Sequence, residues 1–334
     1  MGTLHAMTKG RIFMKIKKII VGLLLISMAT VTFAGCGKKD DVFTIGVNQF
    51  VTHAALDASY QGFVDALADA GYIDGENIKI DLQNAQADQP TANTIATKLV
   101  NDNNDLILAI ATPSGQAVAN ATKDIPILVT AVTDPAGSGL VATNEAPGRN
   151  VSGTSDLTPI KNQIDLLTKL VPTAKNIAIL YCSSESNSKI QAEIAIEAAA
   201  EYGLTAIEAT VSNSNEIQQV VQSLVGKVDA IYAPTDNVIA AGMPTVSQVA
   251  NDNGIPVICG EKGMVDAGGL ATYGIDYYKL GRLTGEQAIK IIKGEAETAT
   301  MPIEYLPDEE YELTINAEVA AKLGIIIPDD LQAK

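Results

Sequence analysis

The run Asp105-Leu106-Ile107-Leu108-Ala109-Ile110-Ala111-Thr112-Pro113 has a counterpart later in the chain, Asp229-Ala230-Ile231-Tyr232-Ala233-Pro234-Thr235-Asp236-Asn237. Each opens on an acid, continues as a short unbroken apolar segment and closes on small polar residues. An apolar run without polar alternation is a strand buried on both faces, the habit of a parallel sheet covered by helices. The parallel extends outward. Ile125-Pro126-Ile127-Leu128 matches Ile255-Pro256-Val257-Ile258, and the turn at Gly71-Tyr72 matches Tyr202-Gly203. The spacing is that of a repeated domain, not of a short solenoid unit. Around these anchors the pattern predicts strands at 44–48, 78–83, 106–111 and 127–131, then 177–181, 205–209, 230–233 and 257–259. Helices are expected at 55–70, 90–101 and 115–122 in the first half, and at 158–170, 189–202, 215–225 and 237–251 in the second. The fold class is α/β, with two doubly wound Rossmann-like domains.

Sheets of this kind bind ligands outside the carboxyl ends of their strands. If the two domains face each other through those ends, the ligand lies in a cleft between them. The loops at the strand ends are indeed polar: Gln49-Phe50-Val51-Thr52-His53, Thr112-Pro113-Ser114-Gly115, Thr133-Asp134-Pro135, Ser183-Ser184-Glu185-Ser186-Asn187-Ser188, Pro234-Thr235-Asp236-Asn237 and Gly260-Glu261-Lys262.

Composition narrows the chemistry. The 334 residues carry 23 Lys+Arg against 39 Asp+Glu, a formal charge of −16, which argues against nucleic acid as a partner. Two histidines, His5 and His53, and three cysteines, Cys36, Cys182 and Cys259, make no His/Cys metal cluster. No phosphate-binding or nucleophile-elbow motif occurs, and Gly137-Ser138-Gly139 with Ala142 lacks the strand and distal acid of a dinucleotide fingerprint. No cofactor or metal is expected and no enzyme activity. Cys182 and Cys259 end strands separated by a third strand, so both are expected to be free thiols.

The first 35 residues read as an address. Lys15, Lys17 and Lys18 precede the apolar stretch 19–29, and the segment ends in Phe33-Ala34-Gly35-Cys36. A basic start, a short apolar middle and small residues before a cut describe a secretory signal. The ending resembles a bacterial lipobox, with Phe33 where Leu is usual, and implies a lipid on Cys36. Met14 is a candidate start, which would make 1–13 an upstream extension. Residues 36–41 then form a tether to the outer face of the cell membrane. Cutting there also removes Lys9, Arg11, Lys15, Lys17 and Lys18 and no acid, so the mature chain is more acidic still.

The cleft loops and their surroundings carry a family likeness. His53-Ala54-Ala55-Leu56-Asp57 with Gln61-Gly62-Phe63, Ala109-Ile110-Ala111-Thr112-Pro113, Thr130-Ala131-Val132-Thr133-Asp134-Pro135, Pro147-Gly148-Arg149-Asn150-Val151-Ser152-Gly153, Ser184-Glu185-Ser186-Asn187-Ser188, Asp229 to Asn237 and Asp276-Tyr277-Tyr278-Lys279-Leu280-Gly281 follow in order. Together they resemble the substrate-binding lipoproteins of ABC importers, in the tryptophan/tyrosine-type group with the type I periplasmic-binding fold. Thr52-His53-Ala54 departs from the usual Glu-His-Pro, and Cys182-Ser183 from a frequent Asn-Pro. The resemblance implies three crossings between domains, near 151–156, 274–276 and 298–302. The domains would be 42–152 with 276–299, and 153–275 with 300–334. It also implies hinge closure on a small α-amino acid of the aromatic kind (Trp, Tyr or Phe), with that ligand, the permease and, through Cys36, the membrane as partners, and the protein a monomer.

Each loop then has an expected part. Ser114, placed before a helix starting at Gly115, with Thr112, Pro113 and Thr133 beside it, suits an α-carboxylate. An ammonium needs a carboxylate that closure can desolvate. The candidates are Asp236, Glu185, Glu261 and Asp134, with Asp236 favoured. Asn187 offers an amide, and Ser184, Thr235 and Asn237 further polar contacts. Phe50, His53 and Tyr181 would line a slot for an aromatic side chain, next to Gln49. Two binding alternatives keep the fold. One is a sugar or nucleoside, against which the absence of Trp speaks. The other is a surface receptor without transport. An extracellular α/β enzyme would need a nucleophile–base pair that no motif supplies.

Overall fold

The computed structural model describes residues 42–332; the expected signal segment, Cys36 and the tether lie outside the described residues. The first sheet forms from β1 (Phe43–Gln49), β2 (Ile78–Asn84), β3 (Leu106–Ile110), β4 (Ile127–Val132), β5 (Val151–Ser155) and β11 (Glu304–Tyr305), in the order β11-β5-β4-β3-β1-β2. All its pairings are parallel. The second contains β6 (Asn176–Cys182), β7 (Thr205–Val211), β8 (Ala230–Ala233), β9 (Val257–Cys259), β10 (Ala271–Gly274) and β12 (Glu312–Ile315), in the order β12-β10-β9-β8-β6-β7. Only β12 runs antiparallel to its neighbour. Every residue of β3, β4 and β8 is buried, as unbroken apolar runs require. Cys182 and Cys259 are buried and unbridged, with β8 between their strands.

Four strands escape an apolar-run reading. β5 is Val-Ser-Gly-Thr-Ser, a polar sequence made strand-like by its position between β4 and β11. β10, β11 and β12 are two to four residues long. The pairing of β11 with β5 also moves the last change of sheet. It falls between Tyr305 and Glu312, later than 298–302, because Glu304 and Tyr305 still pair with Thr154 and Ser155.

The helices of the first lobe are α1 (Ala54–Asp69), α2 (Gln89–Asn101), α3 (Thr112–Ala121) and, after the second crossing, α10 (Tyr277–Ile292). The second lobe has α4 (Ile160–Leu170), α5 (Ser186–Glu201), α6 (Ile217–Leu224), α7 (Asn237–Ala241), α8 (Met243–Asp252), α9 (Lys262–Asp266) and α11 (Ala317–Leu323). The single helix expected at 237–251 is broken into α7 and α8 at Gly242, where Pro244 in the first turn of α8 cannot continue the preceding ladder. The helix expected from Gly115 starts three residues earlier, at Thr112.

The closest helix contact in the first lobe is between α1 and α10. A Cβ on Gly62 would stand 2.0 Å from the Tyr278 carbonyl oxygen, and one on Gly281 would stand 1.9 Å from that of Ser59. Glycine is needed at both because the two backbones meet there. That contact fixes where α10 begins, and Tyr277 with it.

Candidate functional site

The carboxyl ends of both sheets meet at a narrow cavity of only about 10 Å³, room for about one water, so a larger ligand enters only when the lobes part. The first lobe contributes His53, Leu56, Ala131 and Thr133, and the crossings contribute Asp156 and Tyr277. Asn187, Thr235, Asp236, Asn237, Ala240 and Glu261 come from the second lobe. The lobes touch directly around it. His53 Nε2 lies 3.4 Å from Asn237 Oδ1, Gln191 Nε2 donates to Thr133 Oγ1 at 3.2 Å, and Gln116 Nε2 donates to Ser186 Oγ at 3.1 Å.

The four acidic candidates are committed to the protein's own donors. Asp236 caps α7, accepting from the Ile239 N–H at 2.8 Å, and its second oxygen accepts from the Cys182 N–H at 2.6 Å. Glu185 accepts from the Asn237 amide and from the Val238 N–H at 3.1 Å. Glu261 caps α9 through the Gly263 and Met264 N–H groups. Asp134 accepts from the Gly137 N–H at 3.0 Å and from Asn144 at 3.2 Å. Asp236 and Glu261 satisfy orphan N–H groups of the helix that follows each, and Glu185 does the same for α7 and not for its own α5.

Three acceptors on residues that line the cavity have no partner. Asp156 Oδ1, Asn187 Oδ1 and His53 Nδ1 are buried and unbonded. Asp156 is 4 % exposed, and its other oxygen accepts from the Tyr277 hydroxyl at 2.7 Å. The Asn187 nitrogen donates to the Thr235 carbonyl at 3.2 Å, which turns its oxygen the other way. The Asn237 nitrogen donates to Glu185, so Asn237 Oδ1 faces His53, whose Nε2 therefore carries the hydrogen. Nδ1 is left with a lone pair. A buried acceptor without a donor costs roughly 1–3 kcal/mol. Three lining one cavity ask for a ligand rich in N–H donors. A wider groove of about 270 Å³, which shares Glu261 and Tyr277 and runs along α1 and α9, has no such atom among its lining residues.

Other expected residues lie off the cavity lining. Phe50 is 4 % exposed within the first core, and the Tyr181 hydroxyl donates to Glu208, so they do not form a slot with His53. Gln49 donates to the Val51 carbonyl and to Asp57 and so braces the turn before α1. Ser184 contacts the Cys182 thiol at 3.0 Å. The Thr235 hydroxyl donates to Gln191 at 2.6 Å. Pro113 offers its carbonyl to Gln89 at 3.3 Å. Ser114 sits inside the first turn of α3 and donates its hydroxyl hydrogen to Asn48 at 3.1 Å, leaving none for an anion. Thr112 Oγ1 is buried and unpartnered, and Ala111, the residue before α3, has no side-chain cap to offer. Asp156, Tyr277, Leu56, Ala131 and Ala240 were not expected. The one sequence signal for Asp156 is an acid closing a crossing segment.

Burial dominates the electrostatics. It lowers the His53 pKa to about 4, against the opposing pull of its Asn237 bond and the Asp57 charge. Burial raises Glu261 to about 7, and burial together with the Asp236 charge raises Glu185 to about 8. Burial also raises Asp156, while the hydrogen bond from the Tyr277 hydroxyl pulls the other way. The two glutamates are fully stabilising below their unfolded value of 4.5, and this is lost as pH rises through their folded values. His53 contributes above 6.5 and loses its contribution only as pH falls toward about 4, so it is silent above 6.5. The melting temperature of the unliganded protein should therefore fall as pH is raised from about 6.5 to about 8. Glu261→Gln should flatten that slope in a thermal unfolding series; a rising melting temperature in wild type would contradict it.

A family model described as ABC transporter substrate binding protein matches residues 44–334. A protein of Clostridioides difficile (strain R20291) called tyrosine-binding protein is 47% identical over 321 residues, covering 92% of this chain and 91% of that one. A solved ABC domain from Streptococcus pneumoniae in complex with L-Trp aligns with TM-score 0.83 at 42% identity, over 86% of this chain and 96% of that chain. The ligand-free, open structure of a substrate-binding protein with adhesive properties from Clostridium difficile aligns with TM-score 0.65 at 49% identity, over 86% of this chain and 97% of that chain. A lower score at higher identity is what a different angle between two otherwise similar lobes produces. The arrangement here is nearer to the L-Trp complex.

Proposed function

The chain belongs to the family of ABC transporter substrate-binding proteins, and from that membership we propose that it captures an aromatic α-amino acid, tyrosine or tryptophan, and hands it to a permease. The observation that carries the reading is the trio of unpartnered acceptors at the cavity. An α-ammonium has three N–H donors and a positive charge. Asp156 Oδ1 supplies the counter-charge, with Asn187 Oδ1 and His53 Nδ1 taking the remaining hydrogens. The α-carboxylate goes toward the start of α3, outside the present cavity lining, where Thr112 Oγ1 is buried and unpartnered. The ring packs against Leu56, Tyr277 and the neutral His53 imidazole, aromatic pairs being worth about 1 kcal/mol beyond burial. The names of the Clostridioides and Streptococcus relatives support tyrosine or tryptophan as the ligand.

The protein acts by hinge closure and catalyses no reaction. Like its family it works outside the cytoplasm. A lipid anchor on Cys36 and a monomeric state belong to the same proposal, the anchor being supported by the 33–36 sequence.

A thermal-shift screen of ligand-stripped protein tests the ligand class. At about a hundred times Kd an amino acid should add about 2.7 kcal/mol, a rise of several degrees. Tyrosine and tryptophan should give that rise, with glycine, ribose and nucleosides silent. A response to ribose or a nucleoside alone would keep the fold and sink the ligand.

A further inference from the structure

Asp156 and Tyr277 belong to different crossings. Asp156 follows β5, where the chain first leaves the first sheet, and Tyr277 opens α10 after the second crossing. The Tyr277 hydroxyl donates to Asp156 Oδ2 at 2.7 Å, so one hydrogen bond ties the two segments. Both ends are anchored. Tyr277 is 6 % exposed, and its carbonyl accepts from Ser59 Oγ at 3.1 Å. Asp276 caps α10 through the Tyr278 and Lys279 N–H groups at 2.9 and 3.2 Å. On the other side the Asp156 N–H donates to the Val132 carbonyl at 3.4 Å.

A carboxylate with both oxygens free can rotate. One whose Oδ2 is held by a fixed hydroxyl presents Oδ1 in a single direction, and here that oxygen is the unpartnered one lining the cavity. We propose that Tyr277 is a positioning residue for ligand recognition, its hydroxyl aiming Asp156 Oδ1 at the ligand ammonium and linking that contact to the two crossings. This rests on the reading that Asp156 holds the ammonium. Glu261 from the loop before α9, and His53 and Thr133 from the first lobe, line the cavity with this pair. None of the three brings a positive charge, since His53 is neutral. The ligand itself supplies it.

The test compares two ligands in three proteins. Dissociation constants are measured for L-tyrosine and for its deaminated analogue, 3-(4-hydroxyphenyl)propionate, with wild type, Tyr277→Phe and Asp156→Asn. Ligand-observed NMR up to millimolar concentrations reaches the weaker binder. Tyr277→Phe keeps the ring and removes one hydrogen bond to a charged group, so tyrosine should weaken about tenfold. The deaminated analogue should not change, because it brings nothing for Asp156 to hold. Equal weakening of both ligands, or no change in either, overturns the proposal. Asp156→Asn separates the two levels: if it leaves the ratio of the two constants at its wild-type value, the ammonium reading has failed by itself. Ser59→Ala, which loosens the Tyr277 backbone, should give the same selective loss to a smaller extent and keeps the test open if Tyr277→Phe does not fold.

Discussion

Asp156→Asn should weaken tyrosine or tryptophan binding on the order of 100-fold, the cost of leaving a buried ammonium without its counter-charge. The substitution keeps the shape of the side chain and an acceptor for the Tyr277 hydroxyl, so the fold should survive it. The contrast is Asp236→Asn. Asp236 lines the same cavity, but its oxygens accept from the Ile239 and Cys182 N–H groups. Its loss should appear as a lower melting temperature of the unliganded protein, with a much smaller change in affinity. Calorimetric titration of both variants checks the pair. Selective loss of binding in Asp236→Asn, with Asp156→Asn close to wild type, would exchange their roles.

The largest effect on stability is expected from Gly281→Ala. Its new methyl would stand 1.9 Å from the Ser59 carbonyl oxygen, which belongs to the α1 backbone and cannot swing aside as a side chain could. α1 and α10 would have to separate, at about 3 kcal/mol for overpacking of this kind. At about 2–4 °C per kcal/mol the melting temperature should drop by roughly 6–12 °C. A thermal unfolding curve within a degree of wild type would show that the two helices are not held as closely as described.

Much of the fold was legible because its central strands are fully buried. The runs at 106–111 and 230–233 could be nothing but interior strands, and the remaining elements of each half fall into place around them. What escaped was held by tertiary context. Val151-Ser152-Gly153-Thr154-Ser155 has no apolar run and becomes β5 only because β4 and β11 flank it. Its register slips between Val129 and Val132, an irregularity no propensity reveals. Glu304 and Tyr305 make a strand of two residues, which is why the last crossing lies later than expected.

The site was legible as a place more than as a list of contacts. His53, Thr133, Asn187, Thr235, Asp236, Asn237 and Glu261 do line one cavity. Sequence could not tell an acid that caps a helix from one that waits for a ligand, since both stand at strand ends ahead of a helix. The difference lies in which backbone N–H groups are already taken. Asp236 and Glu261 are followed closely by their donors, and Glu185 finds its donors at the start of α7 in the same lobe. Asp156 ends a crossing, separated by Leu157, Thr158 and Pro159 from α4, which it does not cap, and its own N–H goes to the Val132 carbonyl. Proximity in sequence to a helix start is therefore the wrong signal for a counter-charge here.

The most direct measurement is a crystal structure of the ligand-stripped protein grown with L-tyrosine or L-tryptophan. The account predicts the amino acid in the cavity between the lobes, its ammonium about 2.7–2.9 Å from Asp156 Oδ1 and its carboxylate at the start of α3. An ammonium on Asp236 or Glu261 instead, or a cavity that stays empty at saturating ligand, would contradict it.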